Sequence, residues 1–214
     1  MEGAHMSRRI GLLGVVAMFV AARSELARAQ VSSGSQDVQI YAGELFGDRL
    51  TDTPLSGRTP RLDDSVTFGG RYTYYFTNLW GVQLSAGYSP SRAGHAPGGT
   101  DDLGLTTVDL DVLLNFTPGY RVAGHPFIGY TVLGVGYAWA NLDHSALAIA
   151  GTTPVTLADT NGCTANIGLG AKYYLRDNVF IDFDTRYRYL SKLVSDHGQE
   201  LNTAETTLSI GYQF

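Results

Sequence analysis

Residues 178–190 read NVFIDFDTRYRYL. Val179, Ile181, Phe183, Thr185, Tyr187 and Tyr189 fall on one side of an extended chain, and Asp182, Asp184, Arg186 and Arg188 fall on the other. Successive side chains of a strand point to opposite faces, so a period of two marks a strand with two unlike surroundings. One side is apolar and ends in aromatics. The other carries two acids followed by two bases, which can neutralise one another. A strand of a soluble sheet can look the same, so the decision rests on whether the pattern returns.

It returns to the last residue. Downstream, in residues 204–214, Leu208, Ile210, Tyr212 and Phe214 oppose Thr207, Ser209, Gly211 and Gln213. Upstream, in 163–175, Ile167, Leu169, Ala171, Tyr173 and Leu175 oppose Asn166, Gly168, Gly170 and Lys172. The same alternation fills 37–46, 65–76, 80–89 and 105–116, where Val108, Leu110, Val112 and Leu114 oppose Asp109 and Asp111. Residues 126–139 are the least clean: the first half is apolar on both sides, which leaves its register weakly specified. This makes eight strands. The connections alternate between long polar stretches (47–64, 90–104, 140–162, 191–202) and shorter ones (77–79, 117–125, 176–178). Tight turns therefore gather at one end, extended loops at the other, and both termini lie at the tight end. In 140–162 the apolar patches ALAIA and PVTLA read as a hairpin beyond the main sheet.

Alternation does not say which face is inside. Three features do. The polar face is mostly Gly, Ser, Thr, Asn and Gln, residues that suit the narrow interior of eight strands. The apolar face carries large side chains on every strand, more than such an interior holds. Aromatics collect near the tight turns at Tyr74, Phe76, Trp80, Phe116, Phe127, Tyr173, Tyr212 and Phe214, like the interface girdle of a membrane barrel. A closed barrel also satisfies every backbone group in lipid, which an open sheet does not. The expected fold is an all-β, eight-stranded antiparallel up-and-down transmembrane β-barrel, apolar face outward.

Composition agrees. Charged residues make up 16% of the 214, against about 25% in soluble domains, with 26 glycines and 13 tyrosines. Residues 1–29 read as a cleaved signal peptide. Arg8 and Arg9 precede the apolar run 10–22, which is too short to span a bilayer, and Ala27-Arg28-Ala29 supplies a cleavage site. Residues 30–214 form the barrel domain. The leader holds four arginines and two glutamates, so the net charge of −5 for the whole chain becomes −7 without it. That balance argues against nucleic acid as a partner. The sole cysteine, Cys163, forms no internal disulfide and reads as a small strand or rim residue.

In these strands the chain resembles the small outer-membrane β-barrel family that includes OmpA, OmpX and OmpW. The resemblance is strongest in the terminal strand and in residues 167–189. It implies an exported, monomeric protein of the Gram-negative cell outer membrane, with outer-membrane lipid and lipopolysaccharide as surroundings. It also implies that Leu208, Ile210, Tyr212 and Phe214 form the signal read by the outer-membrane assembly machinery.

The chemistry-bearing residues of the inward face are Arg71, Asp109, Asp111, Lys172, Asp182, Asp184, Arg186 and Arg188, with Glu205 beside them. Paired carboxylates invite an acid–base reading. A closed interior with little water, however, requires its charges to be paired, and a structural ion-pair network is the stronger reading. Lipid A-modifying barrels need Ser, His and an acid together. Here His144-Ser145 and Ser195-Asp196-His197 are loop neighbours, and residues 30–214 lack the His-x-Ser deacylase pattern. No catalysis, cofactor or metal site is expected. The expected role is structural or surface-interactive, with gated passage of small solutes as the alternative.

Overall fold

The computed structural model describes residues 31–47, 61, 62, 64–95, 99–142, 160–194 and 199–214. Eight long strands account for most of them: β1 (Gln36–Phe46), β2 (Ser65–Tyr75), β3 (Trp80–His95), β4 (Gly99–Asn115), β5 (His125–Leu142), β6 (Thr160–Tyr174), β7 (Val179–Val194) and β8 (Gln199–Gln213). Each pairs antiparallel with the next, and β1 pairs with β8, so the sheet closes on itself. The closing seam begins at the chain end, where Gln36 N–H donates to Phe214 O (2.9 Å) and Phe214 N–H donates to Gln36 O (2.8 Å). The leader (1–29) and the apolar patches of the 140–162 loop lie outside the described residues.

Strands β3, β4 and β5 run farther than the alternation alone indicates. They have 16, 17 and 18 residues, whereas β1 and β2 have 11. About 9–11 residues cross a bilayer. The β3–β4 ladder is unbroken to His95 opposite Gly99, so it continues into the polar stretch read from sequence as loop. Backbone pairing there needs no apolar side chain, and periodicity is blind to it.

Every strand turns its apolar side out. Ile40, Leu133, Leu169 and Leu208 are each more than 60% exposed, whereas Gln39, Thr207 and Asp111 on the opposite face are buried. In β5 the ambiguous half resolves with Ile128, Tyr130 and Val132 inward and Leu133 outward. Val132 and Tyr130 pack with Leu113 of β4, an apolar patch on the inner wall.

The tight turns have local causes. The Thr77 hydroxyl accepts from the backbone N–H of Leu79 (3.1 Å) and Trp80 (3.0 Å), fixing the β2–β3 turn. Between β4 and β5, the two-residue strand Arg121–Val122 pairs back onto His125 and Pro126. Its two-residue loop has φ of 50° at Ala123 and 83° at Gly124, the pair of positive values that a type I′ turn demands. Alanine pays a steric penalty there. Ala123→Gly is expected to stabilise the barrel by about 1 kcal/mol, read as a higher urea midpoint in lipid vesicles.

Large aromatics also enter the interior, where sequence reading expects small polar groups. Room comes from glycines on neighbouring strands. The Tyr41 ring lies over Gly69 and Gly87, and a Cβ on Gly69 would stand 2.1 Å from Ala86 O and 2.6 Å from the Tyr41 hydroxyl. The Tyr130 ring covers Gly170 in the same way, 2.3 Å from where a Cβ would sit. Gly69→Ala is therefore expected to cost about 1–3 kcal/mol by overpacking, in the same unfolding measurement.

Candidate functional site

The strand parity that sends leucines outward sends every predicted charge inward. Arg71, Asp109, Asp111, Lys172, Asp182, Asp184, Arg186 and Arg188 are all buried, none more than 3% exposed. All but Lys172 belong to one connected set of contacts.

Arg186 is its hub. Its Nε donates to Asp184 Oδ1 (2.7 Å), Nη1 to Asp111 Oδ2 (2.7 Å) and Nη2 to Gln83 Oε1 (2.6 Å). Three nitrogens of one guanidinium thus reach three strands, which the planar fork of arginine allows and an ammonium does not. The acceptors are themselves held: Asn166 Nδ2 donates to Asp111 Oδ1 (2.8 Å), and Gln83 Nε2 to Thr73 Oγ1 (3.0 Å). Arg188 forms the outer tier, donating to Glu205 Oε2 (2.8 Å) and Asp109 Oδ2 (2.7 Å), with Thr164 Oγ1 donating to Asp109 Oδ1 (2.8 Å). Arg71 joins the tiers. Its Nη2 donates to Asp184 Oδ1 (3.2 Å) and Thr207 Oγ1 (3.0 Å) and stands 3.9 Å from Glu205 Oε1, while its guanidinium lies 4.3 Å from the Tyr41 ring centre.

On β7 the two acids and two bases do not simply neutralise each other. Asp184 pairs with Arg186 of its own strand, but Arg188 turns to β4 and β8. Asp182 makes no ion pair among the described residues. It accepts from the Tyr130 hydroxyl at 2.9 Å, and that hydroxyl also lies 3.0 Å from Asp184 Oδ2.

Lys172 sits opposite Asp182 in the ladder yet reaches across the interior to Asp37 Oδ2 (2.6 Å) and the Tyr75 hydroxyl (2.8 Å), with Phe180 beneath its Nζ at 4.7 Å. Sequence reading passes over Asp37, because it opens its strand and looks like a boundary residue. Its parity with Gln39 and Tyr41 was the available signal. Around this pair, Val31, Tyr75, Ile128, Tyr174 and Phe180 form an apolar cluster that fills the tight-turn end, and the Tyr174 hydroxyl donates to Gln213 Oε1. At the opposite end Leu45, Leu105 and Leu190 point inward and are buried. The charges thus lie between the apolar cluster of the tight-turn end and a mixed layer in which Ser65, Ser89, Ser91 and Thr203 are buried with these leucines.

The remaining sequence candidates are scattered. His144, Ser145, Ser195, Asp196 and His197 lie outside the described residues. His125 is an exposed turn-end residue against the Tyr173 ring, and Cys163 is exposed on β6. Among the described residues no three His, Cys, Asp or Glu side chains gather as a metal site. The terminal set, Leu208, Ile210 and Tyr212, lines the outer face of β8.

Comparison with known proteins agrees with this architecture. Over residues 11–214 the chain matches the family model described as outer membrane protein beta-barrel domain. No curated protein matches it. Among solved structures, Neisserial surface protein A is similar at 15% identity and a TM-score of 0.58, covering 85% of this chain and 100% of its own. The outer membrane protein OprG from Pseudomonas aeruginosa gives 18% and 0.55, covering 87% and 99%. Ail, the attachment invasion locus protein of Yersinia pestis, gives 18% and 0.50, covering 85% and 99%.

Proposed function

We propose that this chain, which belongs to the outer membrane protein β-barrel domain family and stands in the outer membrane as a closed eight-stranded barrel, has a structural or surface-interaction role and no catalytic one. Residues 1–29 are its cleaved export signal. The strand set ending in Phe214 is its signal to the assembly machinery, and the barrel works as a monomer in contact with outer-membrane lipid and lipopolysaccharide.

The observation that carries this reading is the enclosed interior. The ion pairs bridge strands on opposite walls, so they stitch the barrel across its width. A water-filled path would have to break Arg186 from three acceptors and displace the apolar cluster at the tight-turn end. What remains available to a partner is the outer rim, where the β3–β4 ladder rises past the length needed to cross lipid.

Planar-bilayer recording tests it. The purified barrel is expected to show no steady conductance. Steady channels in the unmodified protein, lost or altered in Asp184→Ala, would overturn this reading in favour of solute passage. An altered lipid A mass in expressing cells would overturn the non-catalytic half.

A further inference from the structure

One side chain breaks the rule that charges face inward. Glu44 of β1 is exposed on the outer wall, and it is the one Asp, Glu, Lys or Arg among the described side chains of the eight strands to point outward. It makes no hydrogen bond or ion pair among the described residues. Beside it in the ladder stands Thr206 of β8, whose hydroxyl lies 3.3 Å from that of Thr185 on β7, so the polarity extends sideways into two more outward positions.

Depth gives this spot a meaning. Glu44 lies as many residues from the tight-turn end of β1 as the outward aromatics Tyr88 and Tyr187 do on β3 and β7, at the far side of the wall from the tight-turn girdle. Aromatic rows of membrane barrels mark the boundary between headgroups and acyl chains. Glu44 is therefore at that boundary in the outer leaflet, and apolar wall lies below it.

A groove starts at the same place. It has a volume of about 610 Å³; Ala42, Glu44, Phe46, Phe183 and Leu208 line it, and Asp64, which accepts from the Gly47 N–H (3.0 Å), borders its loop end. That volume falls within the range of small-molecule sites, about 300–1,000 Å³. The groove exists because Ala42 and Thr206 are small between the larger Phe183 and Leu208 below and Phe46 above. It leads from the carboxylate down the wall toward mid-bilayer, the course of an acyl chain.

We propose that this groove seats one acyl chain of a glycolipid whose hydroxyacyl chains are amide-linked to its sugar, the lipid A type, with Glu44 accepting the N–H or O–H at the head of that chain. The selection is chemical. A carboxylate only accepts hydrogen bonds. An ester-linked phospholipid presents carbonyl acceptors at this depth and has nothing to donate, whereas an amide-linked hydroxyacyl chain offers two donors. The site rests on the proposed outer-membrane placement, with the termini and tight turns toward the periplasm and the long-loop end in the outer leaflet, but not on the interior being closed.

Native mass spectrometry of the barrel in mild detergent, incubated with purified lipid A or with phosphatidylcholine, tests the assignment. One retained lipid A and no retained phosphatidylcholine are expected. Glu44→Leu should lower lipid A retention at least tenfold. Ala42→Trp, which fills the groove and keeps the carboxylate, should do the same. Heat-modifiable gel mobility verifies that both variants are folded barrels. Equal retention of the two lipids, or lipid A retention unchanged in both folded variants, would overturn the site. So would a dimer of the barrel that either variant dissociates, since the groove would then hold a second copy. Steady conductance together with intact lipid A selectivity would refute the closed-interior reading and leave this site standing.

Discussion

Arg186→Met lowers the stability of the barrel by about 3–5 kcal/mol, the cost of leaving buried charge without its partner. The substitution keeps the length and much of the volume of the side chain, so packing changes little. What disappears is a guanidinium with three nitrogens engaged at 2.6–2.7 Å. Asp184 keeps Arg71 and Tyr130, and Asp111 keeps Asn166, but Asp111 loses its only ion pair among the described residues. The arithmetic is distinctive because the damage lies in the acids left behind. Adding Asp111→Asn and Asp184→Asn to Arg186→Met should recover part of the loss, as coupled groups do. Urea unfolding in vesicles, followed by the fluorescence of the lipid-facing Trp80 and Trp139, measures both. A single variant as stable as the parent would show that the network contributes nothing to holding the barrel.

Phe183→Arg is the second large effect, expected at about 2–4 kcal/mol for an arginine near the bilayer midplane. Phe183 is 55% exposed and lies between Leu208 of β8 and Ala171 of β6 in the ladder. Its neighbour Asp184 is fully buried, so two adjacent residues of one strand receive charge oppositely: the carboxylate of Asp184 is paired with Arg186 and Arg71, whereas a charge at 183 meets hydrocarbon. Phe183→Leu serves as the control, since it keeps the surface apolar and should stay within about 1.5 kcal/mol. If the arginine is tolerated as well as the leucine, the outward face is not in lipid.

The largest part of the fold was legible because membrane barrels write it as parity. One stretch, 178–190, carries the whole rule, and seven repetitions with alternating long and short connections carry the topology. What parity assigns, it assigns residue by residue: all eight inward charges and the outward Leu208, Ile210 and Tyr212 lie where alternation puts them. What parity leaves open is reach. Lys172 and Asp182 are ladder neighbours, yet the long lysine stem crosses the interior to Asp37, a choice made in three dimensions. Parity sets Tyr41 on the inner face with Gln39, but the room for its ring is a matter of register. A large ring is admitted only where glycines on adjacent strands make space, as Gly69 and Gly87 do for Tyr41, and registers between strands are not written in either strand alone. In β5, Val132 faces in and Thr131 out, against their polarity, because neighbouring strands fix the register that side-chain chemistry left open.

The seam between β1 and β8 sets the timetable of folding. The strand synthesised first waits for the strand synthesised last, and until they meet, β1 keeps one row of backbone groups unanswered, an invitation to pair with another chain. Neighbouring hairpins form early, but closure joins residues as far apart as Gln36 and Phe214, and contacts of such separation form slowly. A seven-stranded product is thus no smaller version of this molecule: it has two raw margins, and the bonds of Arg188 and Arg71 that end on β8 have nothing to grip. Completion arrives as a single late event, and whatever shields the first strand in the meantime decides how much of the chain survives to reach it.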